Sequence, residues 1–284
     1  MSDLNFPNLW IAIPDSSLSD EQTKRDKTIK ICQFARACSM FRVKKIFIYH
    51  DKTTNTSPED FSLLKTVLRY LDTPQYLRKL LYPLSDKLEY AGLLHPINAP
   101  HHRELERIRD VMLGDVRVGV ILKVRGKLHV DVGLSSLVSF EGSGFHGKKV
   151  NVKIVSTHPS LKGKEATDYD IKDNYWGYEI QETYSLNKLL ESTSNTQIII
   201  TSKNGGYVKD NEAKILARLK SFRNLLIVFG TPKKGVDEML AAEGRHIEAY
   251  EFVLNMFPFQ GTKTIRLEEA ILGSLAIFNH FLSK

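Results

Sequence analysis

The chain has 284 residues and a mass of 32.4 kDa, room for one large domain or two small ones. It is 42% hydrophobic and 26% charged, enough apolar content to exclude wholesale disorder. A net charge of +7 with pI near 9.2 points to a polyanionic partner.

Cys32 and Cys38 are the only cysteines, which excludes a disulfide scaffold and a Cys-rich zinc site. No apolar run reaches the roughly 18–20 residues of a membrane span, so no membrane partner is expected. The stretch from Met1 to Pro7 has no basic start followed by an apolar segment, so the expected compartment is the reducing cytoplasm.

Residues 9–13 read as a short apolar strand ended by Pro14. Ser19-Asp-Glu-Gln22 has the spacing of a capping box for a helix reaching Met40 and Phe41. Residues 45–49 (KIFIY) predict a buried strand. Ser57-Pro58 opens a helix with proline at its first position, and Thr73-Pro74 opens a shorter one ending at Leu81. This β-α-β-α order favours a parallel sheet.

The pattern changes between Pro96 and Pro100. Residues 115–124, 127–132 and 149–156 alternate apolar and polar positions, with Val116, Val118, Val120, Leu122 and Val124 at a period of two. Glycine turns separate these runs, which suggests a small barrel or meander. Residues 162–173 read as a polar return linker. Strand and helix signals then resume: strands at 178–183, 197–201, 225–229 and 250–256, a helix at 211–220, and a last helix from Leu267 to about Leu282.

Charge follows the same division. Residues 95–166 hold 12 Lys and Arg against 7 acids and six of the nine histidines. That surplus reads either as a solvated basic surface or as a phosphate-contacting module. His101 and His102 are adjacent in a loop, where solvent exposure is the ordinary reading and metal binding the alternative.

Three glycine-bearing segments follow three consecutive buried strands: Gly205-Gly206, Gly230 and Gly261. Ligands sit outside the carboxyl ends of such strands, and glycine lets backbone approach a ligand closely. Neither a G-x-x-x-x-G-K-[ST] cradle nor HExxH occurs, and Ser16 and Ser17 lack a G-x-S-x-G elbow. Arg36, in Phe34-Ala-Arg-Ala-Cys38, is either a surface arginine whose stem covers its helix or a guanidinium aimed at negative charge. Asn255 either serves the pocket or caps a turn. Asp15, Glu268 and Glu269 are general-base candidates by location alone.

The run from Asn255 to Ile271, containing Pro258-Phe-Gln-Gly-Thr-Lys-Thr-Ile-Arg266, resembles the third cofactor loop and last helix of SPOUT RNA methyltransferases. Gln33-Phe-Ala-Arg-Ala-Cys38, Ile11-Ala-Ile-Pro14 and the stretch from Pro74 to Pro96 resemble the archaeal and eukaryotic branch of that family, whose expected reaction is methylation of uridine N3 in RNA. The resemblance implies a discontinuous α/β domain over residues 1–94 and 168–284, its parallel sheet closed by a C-terminal deep trefoil knot. An OB-like RNA-binding barrel would be inserted at 95–167.

It also implies an S-adenosyl-L-methionine site. Thr201, Ser202 and Gly205 would supply the first loop, Phe229, Gly230, Thr231 and Pro232 the second, and Asn255, Gly261, Thr262, Thr264, Ile265 and Arg266 the third. Arg36 and Asn255 become the catalytic candidates. Arg117, Lys123, Arg125, Lys127, Lys148, Lys149 and Lys153 become RNA contacts. Homodimerisation is implied, with RNA as partner, ribosomal RNA before tRNA. The alternatives are a non-catalytic RNA-binding or ribosome-assembly factor of the same fold, and a small-molecule α/β enzyme with a β lid.

Overall fold

The computed structural model describes residues 7–103, 107–171, 174–231 and 233–282. It divides into two compact units. Met1–Leu68, Tyr90–His95 and Tyr178–Lys284 make the first, and Arg69–Glu89 with Pro96–Gly177 the second.

In chain order the elements are β1 (Asn8–Pro14), α1 (Lys24–Met40), β2 (Lys45–Tyr49), α2 (Pro58–Leu71), α3 (Gln75–Leu81), β3 (Val116–Val124), β4 (Lys127–Asp131), β5 (Val138–Glu141), β6 (Lys149–Ser156), β7 (Lys162–Glu165), α4 (Asp168–Ile171), β8 (Glu179–Thr183), α5 (Leu186–Ser192), β9 (Thr196–Tyr207), α6 (Val208–Leu219), β10 (Asn224–Val228), α7 (Val236–Ala241), β11 (Val253–Asn255) and α8 (Leu267–Leu282).

The first unit holds a parallel sheet in the order β11-β9-β10-β1-β2-β8. Its central strands carry near-continuous apolar runs because both faces are covered; all five residues of β10, Asn224 included, are buried. Ala12, Phe47, Leu226 and Val228 pack with Leu189 of α5 and Met239 of α7. α8 buries Leu267, Ile271, Leu275 and Phe278 at helical spacing, and α1 buries Ile31, Phe34, Ala35 and Cys38. Each large side chain so buried contributes about 1.5–3 kcal/mol.

Several predicted boundaries move. α1 is capped by Thr23, whose Oγ1 accepts from the Asp26 amide at 3.1 Å. The Ser19–Gln22 box does not cap it, because Ser17, Ser19 and Glu21 form a succession of tight turns. The predicted loop at 202–206 is strand: β9 continues to Tyr207 and pairs with β11 through a register shift, Ile200 opposite Val253 and Gly206 opposite Leu254. Gly205 is required there. A Cβ would lie 2.6 Å from the Val253 carbonyl oxygen and 2.8 Å from the Leu254 backbone, forcing the strands apart. β11 itself is confined to Val253–Asn255, shorter than the predicted 250–256. The short helices α5 and α7 were not predicted; fewer than two turns leave little periodicity to read.

The second unit contains a closed barrel in the order β3-β4-β5-β7-β6. β5 and β7 run parallel, and the other neighbours pair antiparallel. This is an OB-like five-stranded barrel. Its interior is filled by Ile121, Val130, Val138, Phe140, Val152 and Ile154.

The predicted polar linker at 162–173 is corrected by β7, which closes the barrel. β7 reads KGKE and buries only Gly163, so no apolar side chain announces it. The alternating valines of β3 have a different role from barrel filling. Val118 and Val120 pack on Leu77 of α3, flanked by Tyr76, Leu122 and Trp176. That helix covers the outside of β3, so this compact unit takes in Arg69–Glu89 and reaches Gly177, beyond 95–167.

Among the described residues, no helix is long and apolar enough to cross a membrane. No group of three or more His, Cys, Asp or Glu among them is placed to hold a metal. Cys32 and Cys38 form no disulfide and are buried in α1.

Candidate functional site

Residues 201–204 of β9, the chain leaving β10, and β11 with the chain after it enclose a cavity of about 320 Å³ toward the carboxyl edge of the sheet, the usual place for a ligand in such folds. Of the residues named from the sequence, Thr201, Ser202, Phe229, Gly230, Thr231, Asn255, Thr264 and Ile265 line it. Gly205, Gly261, Thr262 and Arg266 are not among its walls, and Pro232 lies outside the described residues. Gly205 serves strand packing. A Cβ on Gly261 would meet nothing within 4 Å, so no close approach calls for glycine there.

The loop side chains are engaged with one another. Thr201 Oγ1 donates to the Val228 carbonyl at 2.8 Å. Thr231 Oγ1 accepts from the Lys234 amide at 3.0 Å. Asn255 Nδ2 donates to the Lys203 carbonyl at 2.9 Å, and its Oδ1 accepts from the Phe257 amide at 2.9 Å. Thr262 Oγ1 donates to the Thr264 carbonyl at 2.9 Å. Asn255 therefore braces the β9 segment against the loop after β11, and backbone groups remain the natural readers of a ligand.

One wall group differs. Ser274, in α8, is 1% exposed, and its Oγ has no hydrogen-bond partner among the described residues. A buried hydroxyl without a partner costs about 1–3 kcal/mol, a cost that a polar ligand group would remove. Sequence reasoning missed Ser274, Ala270 and Leu267 because α8 reads as an ordinary core helix. A small polar residue on its apolar face was the available signal. It also missed Lys203, Lys234 and Lys263, all wall residues.

Under the β10 loop, buried Tyr49 donates its hydroxyl to the Phe229 carbonyl at 2.6 Å; burial and the nearby carboxylates Asp51 and Asp15 hold that phenol well above its usual range. Lys234 Nζ reaches the Thr53 carbonyl. Beside it, buried Asp51 accepts from Ser16 Oγ at 2.6 Å and from the Thr53 amide at 2.8 Å. Burial alone would raise the Asp51 carboxyl, but these hydrogen bonds hold it below the usual carboxylate range. Asp15 accepts from the Asp51 amide and from Thr56 Oγ1, both at 3.0 Å, with His50 Nδ1 2.7 Å away.

Arg266 bonds Glu21, and its Nε lies 3.3 Å from Glu268. Lys30, 1% exposed, bonds Asp20 and lies 3.4 Å from Glu268. This network fastens the start of α8 to α1 and the chain before it, so Arg266 and Glu268 are anchors rather than walls. Glu269 accepts from the Arg266 amide at 2.9 Å, helping to close the N-terminal turn of α8. Arg36 is exposed on α1 and is not a cavity wall.

In the second unit, Lys123, Arg125 and Lys127 are exposed around the β3–β4 hairpin, and Lys148 is half-buried. Lys149 pairs with Asp72 at 3.0 Å and Lys153 with Asp170 at 2.6 Å. Arg117 is buried, not a surface cation. His101 is buried too, against the expectation of exposure, because its imidazole reaches Asp72.

One unit holds a ligand cavity at its sheet edge and the other a five-stranded barrel with a basic hairpin, the parts of a protein that binds a small ligand and a polyanion. The family model described as "Putative RNA methyltransferase" matches residues 8–278, and the chain belongs to this family. It is similar to the 28S rRNA (uridine-N(3))-methyltransferase of Drosophila melanogaster, 29% identical over 96% of this chain and 62% of that one. It is also similar to the proteins of the same name from Homo sapiens, 30% identical over 94% and 77%, and Mus musculus, 29% identical over 94% and 75%. The chain thus spans about three-fifths of the length of the Drosophila relative.

Proposed function

We propose that the chain is an S-adenosyl-L-methionine-dependent methyltransferase acting on N3 of a uridine in ribosomal RNA. The observation that carries this reading is the cavity of about 320 Å³ formed by residues 201–204 of β9, the loop after β10, and β11 with the loop after it. Its volume lies in the range of about 300–1,000 Å³ usual for small-molecule sites. The names of the relatives support the substrate.

The residues fit such a ligand. Backbone groups around Ser202, Gly230 and Ile265, together with the unpartnered Ser274 Oγ, would hold its polar edges. Phe229, Leu254, Ile265 and Leu267 would exclude water. When bound, the cofactor supplies an electrophilic methyl group on a sulfonium. Asn255 keeps two of the surrounding segments in register, and position alone is worth several kcal/mol in a displacement of this kind.

Uridine N3 must give up its proton, here to solvent water, to act as the nucleophile. A guanidinium beside the ring stabilises the imide anion, each pKa unit corresponding to about 1.4 kcal/mol. Arg36 is assigned that task. Because it faces outward on α1, it serves the site of a second copy in a homodimer. The tail from Asn255 onward is proposed to thread as a deep trefoil knot, and the enzyme to work in the cytoplasm. The basic hairpin of Lys123, Arg125 and Lys127 grips phosphates, which makes RNA binding salt-sensitive.

The test is transfer of labelled methyl to ribosomal RNA lacking the modification. The wild-type chain labels one uridine. Arg36→Ala abolishes labelling, while calorimetry shows unchanged affinity for S-adenosylhomocysteine. Cofactor binding without any transfer would leave a non-catalytic assembly factor.

A further inference from the structure

A second cavity, of about 550 Å³, is lined by residues of the second unit, Tyr76, His101, Arg103, Arg117 and Trp176 among them, and by two carboxylates engaged elsewhere, Asp115 on the Met112 amide and Asp170 on Lys153. Two of its walls are chemically incomplete. Arg117 is 5% exposed, and its Nε and Nη2 both donate to the Val132 carbonyl, at 3.1 and 2.9 Å. Its guanidinium lies 5.2 Å from the Tyr76 ring centre. Among the described residues no carboxylate pairs with it. A buried cation without a counter-charge is costly, and an anionic group entering the cavity would offset that cost.

His101 is the second. It is 4% exposed, with Nε2 3.4 Å from the Asp72 carbonyl and 3.6 Å from its carboxylate. Burial would raise the Asp72 carboxyl, but His101 and Lys149 beside it hold it below the usual range. His101 Nδ1 is buried and has no hydrogen-bond partner among the described residues. Gly177 clamps this arrangement. At φ +84, a Cβ on it would lie 2.1 Å from Asp72 Oδ1 and 3.1 Å from His101 Cε1, so only glycine lets the backbone close over the pair. Trp176, half-buried, lies 5.8 Å from the His101 ring at a tilt of 35° and donates Nε1 to Asn151 at 2.9 Å.

We propose that this cavity holds one unpaired nucleotide of the RNA, its phosphate at Arg117 and Arg103, its base against Trp176 and the polar edge of that base toward His101. Cation, flat aromatic face and unpartnered imidazole nitrogen together match a nucleotide; a duplex hides both the base face and its polar edge. The inference rests on the RNA reading above and adds a second contact, separate from the methylated uridine.

The test uses the full chain carrying Trp10→Phe, which leaves Trp176 as the sole tryptophan. Uridine monophosphate and a single-stranded uridine 12-mer should each quench Trp176 emission saturably, and the 12-mer should displace the monophosphate. Blunt duplex RNA should not quench. Arg117→Met and His101→Gln should each weaken the monophosphate at least tenfold. The exposed Arg103→Ala, which places no demand on folding, should weaken it about threefold. S-adenosylhomocysteine affinity should stay unchanged in all three. Single-stranded RNA that binds by anisotropy without quenching Trp176 would overturn the site and leave the RNA reading standing. Equal quenching in all variants, or monophosphate that the 12-mer cannot displace, would also overturn it. Absence of any RNA binding would overturn both.

Discussion

Around the sheet-edge cavity almost every polar loop side chain has a partner, and the ligand is left to backbone groups and one serine hydroxyl. Around the barrel-side cavity, side chains stand out instead: a buried guanidinium held by a carbonyl with no carboxylate paired to it among the described residues, and an imidazole nitrogen without a partner there. A site read by backbone depends on where its loops sit. It tolerates side-chain change as long as the braces hold. A site read by side-chain charge depends on the identity of two or three residues. Substitutions near the two cavities should therefore fail differently.

The largest effect is expected at Lys30, which acts on the first cavity from outside it. Lys30→Met leaves Asp20 and Glu268 without their buried cation, a loss of about 3–5 kcal/mol. Thermal unfolding should show a drop of roughly 6–20 °C. A drop of one degree or less would mean that this network does not hold α8.

A smaller effect follows from Asn255→Ala, which removes the tie between Lys203 and Phe257. Lost hydrogen bonds of about 1–3 kcal/mol should weaken S-adenosylhomocysteine roughly five- to 150-fold by calorimetry while leaving RNA affinity alone. Weakened RNA binding in this variant would blur the division between the two cavities.

The smallest effect is a pH dependence in the second unit. Asp72 has a depressed carboxyl pKa in the folded chain. The stability it contributes is present above its unfolded value, about 4, and is lost as pH falls through the lower folded value. In the Trp10→Phe chain, the urea midpoint followed by Trp176 should fall between pH 5 and pH 2. A flat midpoint over that range would mean the Asp72–Lys149–His101 set is not formed.

Much of the first unit was legible. Residues 45–49 and the last helix at Leu267 match β2 and α8, because a continuous apolar run and a capped amphipathic period are local signals. The post-strand segments were grouped from the sequence, and eight of the residues named there line the cavity. The reading of glycine was less secure. Gly205 marks two strands in contact, and Gly261 marks nothing that a Cβ would disturb. Ser274 was overlooked as a site because its helix face is apolar in the same rhythm as any core helix, and one small polar residue is a faint break in that rhythm.

In the second unit the alternating valines of β3 revealed a strand but not its partner. Their period of two is equally satisfied by a barrel interior or by α3, and α3 takes Val118 and Val120. β7 carried no apolar signal at all.

From the sequence alone came the local facts: which segments are strands or helices, which face of each is apolar, and that positive charge gathers between residues 95 and 166. Tertiary structure alone decided which charges are buried and which loops meet. Lys203 and Asn255, or Arg117 and Val132, become neighbours only when strands pair. Burial, which sets the cost of an unpaired Arg117 or Ser274, is a property of those pairings and not of any window along the chain.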